Sequence, residues 1–467
     1  MPIDLRLDEA EAPLLIDLYE LTMAASYFEL GLNQPATFSL SVRRMPPRRG
    51  FLVAAGLERL LEAITAFRFD SAALEYLDSL GLFTPDFLAF LGNLRFTGEV
   101  RAMPEGTIFF ADEPLVEITA PLIEAQLLET LALNQVGVAS LIASKAARVM
   151  IAAQGRRLFE FGLRRSQGAD AGLVAARSSY LAGFVGTSNV LAGRRYGIPL
   201  YGTMAHSYVM AHEREREAFA HYAALFPRLS TLLVDTYDTA RGVENAAQVA
   251  LGLKQQGHKL QAVRLDSGDL AELSRVARRI LDRNGLRDVA IFASGNLDEY
   301  RVEELVRTGA PIDAFGVGAE LAVSGDAPVL DAAYKLCEYA GAPRVKLSAK
   351  KASLPGRKQV FRALNARAGF YADVIGLADE GATTVAAEFN ASPAETVALL
   401  QKRMSGGNPV GARPALAESR EGLLEAIARL EQRNKDLTRP ATYPVKFTRA
   451  LNALIISERL RADQRQS

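Results

Sequence analysis

The sequence predicts an α/β fold, with a parallel barrel favoured over an open doubly wound sheet, and two features carry that prediction. From residue 158 to about 318 one pattern repeats: a short apolar run, a polar or glycine-rich cluster, then an amphipathic stretch of helical period. The runs cover 158–161, 199–203, 231–235, 260–266, 289–294 and 314–317. The second feature is the set of residues at or just beyond the end of each run: Gly162-Leu163-Arg164-Arg165, Ala205-His206-Ser207, Thr236-Tyr237-Asp238, Ser267-Gly268-Asp269, Gly295-Asn296 and the turn Gly316-Val317-Gly318. A parallel barrel collects its active-site loops at the carboxyl ends of its strands, and an open sheet also binds ligands there.

The remaining elements are read in chain order. Residues 1–140 are mixed, with helices at 16–30 and 54–67, strands at 98–103 and 107–111, and a long helix over 124–153 after Pro121. Within the repeat, helices fill 241–256 and 270–283. From about 347 the pattern mixes again, with a strand over 359–363 and helices over 393–404 and 423–437, and the loop 404–409 is the clearest linker. The expected division is 1–140, a barrel over 141–346, and 347–467 packing with the N-terminal part.

Composition limits the function classes. A chain of 467 residues with 49% hydrophobic and 23% charged residues can build large cores. Lys plus Arg equals Asp plus Glu at 54 each, so no global charge calls for nucleic acid or an anionic membrane, and any anion site must be local. The single cysteine, Cys337, excludes an internal disulfide framework and reads as a small buried hydrophobe. The start Met1-Pro2-Ile3-Asp4 lacks a signal-peptide pattern and no run of 18 apolar residues occurs, so a cytoplasmic protein without a membrane span is expected.

Several clusters carry chemistry. Gly202-Thr203-Met204-Ala205-His206-Ser207 places one of four histidines at a strand end, where a ring nitrogen can act as base or nucleophile and Thr203 and Ser207 can donate to an anion. His212, His221 and His258 read as surface residues. In Arg264-Leu265-Asp266-Ser267-Gly268-Asp269 the carboxylates could hold Mg²⁺ or sugar hydroxyls, with a helix cap as the plainer reading. Ser294-Gly295-Asn296 and Gly316-Val317-Gly318 could offer backbone amides to one phosphate. Phe161 followed by Arg164-Arg165 suits a flat anionic ring, through stacking and charge pairing. Taken alone, Tyr19 and Arg43-Arg44 read as a helix residue and a surface pair. The segment 252–257 has P-loop spacing but lacks the lysine, since His258 stands there.

Six segments, 15–23, 159–167, 202–207, 235–239, 264–269 and 354–362, together resemble nicotinate phosphoribosyltransferases, in the same order over most of the chain. The resemblance implies an irregular TIM-like α/β barrel beside an α+β domain built from both chain ends, and a homodimer with shared sites. It implies that His206 is the phosphorylated histidine, and that Phe161 and the neighbouring subunit's Tyr19 stack on the base. Arg164 and Arg165 would meet the nicotinate carboxylate, and Arg264 and Asp266 the ribose and pyrophosphate. Asp235 would serve Mg²⁺ or sugar, Gly295 and Gly318 the 5-phosphate, and Lys346, Lys350, Arg357 and Lys358 the polyphosphate of ATP. Ala319 stands where relatives often carry threonine and Tyr208 where phenylalanine is usual.

The nearest alternative is a nicotinamide phosphoribosyltransferase, which carries a carboxylate where this chain has the neutral Ser188, so nicotinate is the expected substrate. A phosphosugar lyase with a Schiff-base lysine is a further alternative, but none of the six strand ends holds a lysine. A non-catalytic barrel is disfavoured by His206, Arg264 and Asp266.

Overall fold

A computed structural model describes residues 9–347, 353–388 and 395–466. The chain divides into two compact units, one made of 1–140 and 329–467 and the other of 141–328.

The second unit holds a six-stranded parallel sheet. Its spatial order is Gly186–Thr187, Arg157–Glu160, Ala314–Val317, Ala290–Ala293, Ala262–Leu265 and Thr231–Leu233. These strands are short and apolar on both faces, as a helix-covered parallel sheet requires; all four residues of Ala314–Val317 are buried. Five of the six expected runs become these strands. The run at 199–203 does not: only Leu200 makes an isolated parallel bridge, to Thr187. The two-residue strand Gly186–Thr187 is too short to leave a periodic signal.

Tyr201 closes the sheet. Its amide donates to the Thr187 carbonyl at 3.0 Å on one edge strand, and its hydroxyl lies 2.9 Å from Thr231 Oγ1 on the other. The sheet therefore curls into an irregular barrel whose seam is one side chain wide. Phe159, Tyr201 and Phe292 fill the interior with centroid distances of 4.0 to 5.7 Å, and Phe161 packs above Phe292 at 5.6 Å. Helices leave the strand ends under side-chain caps. Asp238 accepts from Arg241 N at 2.8 Å, Asp269 from Ala271 N at 3.0 Å, and Asp298 from Arg301 N at 2.7 Å.

The first unit is woven from both chain ends. Pro35–Val42 lies antiparallel between Pro114–Pro121 and Ala332–Tyr339, and Glu99–Ala102 pairs with both Pro114–Pro121 and Gln401–Ser405. A second sheet orders Glu395–Ala398, Lys358–Leu364, Phe370–Leu377 and Val445–Phe447. The second α+β domain from both chain ends is thus present. Its boundary differs from the expected one, because Ala332–Tyr339 pairs with Pro35–Val42 and so ends the barrel unit at 328 rather than 346.

Three further expectations are corrected. The helix expected over 393–404 is replaced by strands Glu395–Ala398 and Gln401–Ser405. Pairing with Lys358–Leu364 and two bonds from the Gln359 side chain to Leu400, at 2.8 and 2.9 Å, override the local helical spacing. The expected linker at 404–409 is a hairpin turn, with Gly406 and Gly407 both left-handed at φ 55° and 77°. The last expected helix lies earlier, at Leu416–Arg429.

Residues 122–153 form a helix that is long and apolar enough to cross a membrane by length and composition, yet 78% of its most apolar window is buried in the protein. Its charges explain why. Lys145 Nζ lies 2.6 Å from Glu299 and 2.8 Å from Asp326, and Arg148 Nε donates to Glu299 at 2.9 Å, so the second unit buries both cations beside carboxylates.

Helix Leu18–Glu29 buries a carboxyl group, Glu20, whose Oε1 accepts from the Thr130 hydroxyl and amide while Oε2 has no hydrogen-bond partner. Burial first, then repulsion from Glu129 and Asp17, pushes it up to about 7 against the opposing Thr130 bonds. The folded state therefore binds the proton more tightly than the unfolded chain. Stability is full below the unfolded value and is lost as pH rises through about 7. Glu20→Gln is expected to remove that dependence, worth up to about 3 kcal/mol between pH 5 and 8. Urea midpoints of wild type and variant at both pH values check it, and an unchanged pH response in the variant would refute it.

Candidate active site

The carboxyl ends of three barrel strands and the loop before His206 converge on Arg264. Its guanidinium donates from Nε to Ser294 Oγ at 2.8 Å, from Nη1 to Thr203 Oγ1 at 2.7 Å, and from Nη2 to Asp266 Oδ1 at 2.7 Å. Its plane also lies 5.7 Å from the centre of the Phe161 ring. One planar group thus fixes the ends of strands Ala262–Leu265 and Ala290–Ala293, the loop before His206, and the aromatic ring after Arg157–Glu160. A lysine has no such fork.

Asp266 is held twice more. Ser294 Oγ donates to its Oδ1 at 2.5 Å, and its amide donates to Asp235 Oδ2 at 2.9 Å. Burial works against its ionisation, but Arg264, the Ser294 hydroxyl and His206 outweigh it and hold the carboxyl below the usual carboxylate range. His206 Nε2 stands 4.0 Å from Asp266 Oδ2, while Nδ1 lies 3.1 Å from Thr236 Oγ1. The histidine side chain is 41% exposed, so Nε2 faces both a fixed carboxylate and open space.

The expected residues separate into those the fold brings together and those it does not. His206, Arg264, Asp266, Thr203 and Phe161 form one cluster, which Ser294 and Thr236 join without having been singled out as partners. Ser207 is exposed one residue beyond His206. Asp235 serves the Asp266 loop, accepting from Ser267 Oγ at 2.6 Å as well, and its Oδ1 is buried without a partner. Gly295 is left-handed at φ 90°, and a Cβ there would meet the Asp266 carbonyl at 2.0 Å, so its glycine requirement is steric. Gly316 likewise makes room for packing, since a Cβ would come within 2.8 Å of Phe161 and Phe292. The requirement for glycine at 316 is therefore steric. Gly318 opens the short turn Ala319–Ala322.

Arg164 and Arg165 sit on a 3-10 turn, Leu163–Arg165, and both are exposed. Ser188 is exposed on the next strand end, its amide donating to the Glu160 carbonyl at 3.0 Å.

The first unit holds Tyr19 and the four basic positions expected at the polyphosphate. Tyr19 is 45% exposed on helix Leu18–Glu29, and burial of its hydroxyl beside Glu129 pushes its ionisation up. Lys346 lines a cavity of about 250 Å³ with Arg43, Lys335 and Glu129. Lys358 borders the same cavity, but its ammonium is buried against Glu117 at 3.1 Å and the Gly356 carbonyl at 2.5 Å, which corrects the expectation that it is free for a ligand. Arg357 lines a different groove and pairs with Glu99 at 2.7 Å. Lys350 lies outside the described residues. Arg43 and Arg44 are not a free surface pair, since both bind Asp331.

Mg²⁺ that keeps waters and substrate phosphates needs only one or two protein carboxylates. Ionised Asp266 and the orphaned Oδ1 of Asp235 meet that need; among the described residues no group of three or more acidic, histidine or cysteine side chains forms a closed cage.

Three family models match successive parts of the chain: the nicotinate phosphoribosyltransferase N-terminal domain over 14–137, the nicotinate phosphoribosyltransferase family over 156–349, and the C-terminal domain over 357–455. The nicotinate phosphoribosyltransferase pncB2 of Mycobacterium tuberculosis is 52% identical over 353 residues, covering 75% of each chain. That of Bos taurus is 35% identical over 520 residues, covering 96% of each. The crystal structure of human nicotinic acid phosphoribosyltransferase matches with a TM-score of 0.83 at 33% identity, covering 94% of this chain and 99% of that one. A nicotinate-nucleotide pyrophosphorylase from Pyrococcus furiosus matches at 0.76 and 27%, covering 92% and 99%. With its barrel unit and its chain-end unit both matched, the chain belongs to the nicotinate phosphoribosyltransferase family.

Proposed function

We propose that this protein joins nicotinate to the ribose 5-phosphate of phosphoribosyl pyrophosphate, releasing pyrophosphate, with ATP hydrolysis coupled through His206, as a step of NAD biosynthesis in the cytoplasm. The observation that carries the reading is the Arg264 cluster, which joins a cation lying over an aromatic ring to an ionised carboxylate and a histidine.

The substrate dictates the chemistry. The bond from the anomeric carbon to pyrophosphate breaks, positive charge builds on the ribose, and the pyridine nitrogen of nicotinate forms the new bond. Phe161 supports the flat ring, and Arg164 and Arg165 attract its carboxylate past the neutral Ser188. Arg264 and Asp266 are already fixed by their neighbours, so they meet developing charge without reorganising. Asp266 and Asp235 are the residues that would hold Mg²⁺, whose positive charge would be supplied beside the leaving pyrophosphate. With Nδ1 held by Thr236, His206 presents Nε2 to ATP, and a phosphoryl group there would add charge beside Asp266. Lys346 and Arg357 are the positions we assign to polyphosphate contacts, and Tyr19 is assigned to the base site of a second copy in a homodimer.

Three measurements test this. With phosphoribosyl pyrophosphate, Mg²⁺ and ATP, nicotinate should be used far more efficiently than nicotinamide; equal or higher kcat/KM for the amide would sink the acid-specific assignment. Incubation with γ-labelled ATP should give an acid-labile, base-stable label that is lost in His206→Ala and kept when His212, His221 or His258 is replaced. That variant should also lose ATP stimulation while retaining slow transfer, and a label that survives in it would show the coupling residue to be misplaced. Mixing Tyr19→Ala subunits with His206→Ala subunits should restore ATP-stimulated activity through hybrids with one intact site, and no recovery despite demonstrated subunit exchange would count against a shared site.

A further inference from the structure

Beneath the two loops assigned to the base lies a carboxylate that the reaction itself does not use. Glu160 ends the strand Arg157–Glu160 and is fully buried. Both of its oxygens are engaged. Oε1 accepts from the amide of Gly162, and Oε2 accepts from Thr187 Oγ1 at 2.5 Å. Thr187, also fully buried, then accepts from the Asn189 amide at 3.0 Å through the same hydroxyl oxygen. Asn189 in turn caps the following helix at Ala192 N, 3.1 Å away, and donates to the Gly172 carbonyl at 3.2 Å.

The two ends of this chain of bonds carry the base-recognition residues. The Gly162 carbonyl accepts from Arg165 N at 2.8 Å and Ser166 N at 3.0 Å, so it starts the turn that presents Arg164 and Arg165. Gly162 has no room to shift: a Cβ there would lie 2.5 Å from Ala322, 2.8 Å from Glu160 Oε1 and 3.0 Å from the Gly318 carbonyl. On the other side Ser188 sits between Thr187 and Asn189, its amide fixed to the Glu160 carbonyl at 3.0 Å. One carboxylate therefore sets the spacing between the arginine turn and the neutral Ser188.

We infer that Glu160, acting through Thr187, is a positioning residue for base selectivity: its bridge holds Arg164-Arg165 and Ser188 at the separation that favours a carboxylate over a carboxamide. The inference rests on the proposed transfer to nicotinate, and it adds two residues that touch neither substrate.

The test uses the full-length protein and compares wild type, Thr187→Val, Thr187→Ser and Glu160→Gln. For each, kcat and KM are measured with nicotinate and with nicotinamide, together with KM for phosphoribosyl pyrophosphate. Valine matches threonine in shape but removes the hydroxyl. Losing a buried hydrogen bond to a charged acceptor should raise KM for nicotinate and lower the nicotinate-to-nicotinamide ratio of kcat/KM, each by about tenfold or more. KM for phosphoribosyl pyrophosphate should stay within about twofold, and serine, which keeps the hydroxyl, should restore the ratio to within about twofold of wild type. Glu160→Gln keeps one acceptor oxygen for two donors and should narrow the ratio as well; it decides the matter if Thr187→Val does not fold. A folded valine variant with wild-type selectivity, or one that loses all three parameters equally, would overturn the inference alone. Wild type that transfers to neither base would overturn the reaction and the inference together.

Discussion

The barrel unit depends on one planar cation held at the mouth of an aromatic core. Arg264 has five N–H donors in a rigid fork, and the fold supplies acceptors from two strand ends and from the Thr203 loop, with the Phe161 ring beside it. In the partly buried mouth these bonds are stronger than in water, and each also orients its acceptor. Asp266 is ionised and aimed because Arg264 and Ser294 hold it, and His206 meets Asp266 because the Thr203 loop is tied to the same guanidinium.

That hub works only because the layer below it is full. Phe159, Phe161, Tyr201 and Phe292 occupy the barrel interior, and Gly316 yields the space that two of these rings need. Tyr201 belongs to both systems, since its ring packs in this layer while its backbone and hydroxyl join the two edges of the sheet. Small residues serve the same end at the rim. Gly295 lets the Ser294 turn lie against the Asp266 carbonyl, and Gly162 lets the arginine turn lie against Gly318.

The first unit solves a different problem, the burial of charge within sheets that join distant parts of the chain. Arg362 makes a two-pronged pair with Asp373 under the ring of Phe370, 4.2 Å away, and Lys358 of one sheet meets Glu117 of the other. Removing one member of such a pair strands the other charge, at a cost of about 3–5 kcal/mol. The Lys358–Glu117 pair also ties a residue before 140 to one after 329.

Much of this was legible in the sequence because it depends on local pattern. Five of six strand runs, the cap in the 264–269 segment, and the cluster of His206, Arg264 and Asp266 at strand ends all follow from apolar period, capping chemistry and the position of polar residues after apolar runs. The resemblance to nicotinate phosphoribosyltransferases rests on the same short segments. Tertiary pairing decided the rest. Residues 395–405 carry a helical spacing but become strands, because Lys358–Leu364 offers an unpaired edge and Gln359 locks Leu400. Lys358 reads as a free cation until tertiary packing places the Glu117 side chain, 241 residues away in sequence, beside it. Glu160 and Thr187 look like ordinary strand residues, and Tyr201 like part of a strand it does not form. Their bonds exist only once the sheet has curled and brought distant backbone together. The sequence by itself determined most of the barrel's elements and which residues their ends present; the tertiary structure decided where local spacing is overridden and which of those residues share a hydrogen bond, because both depend on strand order and closure rather than on neighbours in the chain.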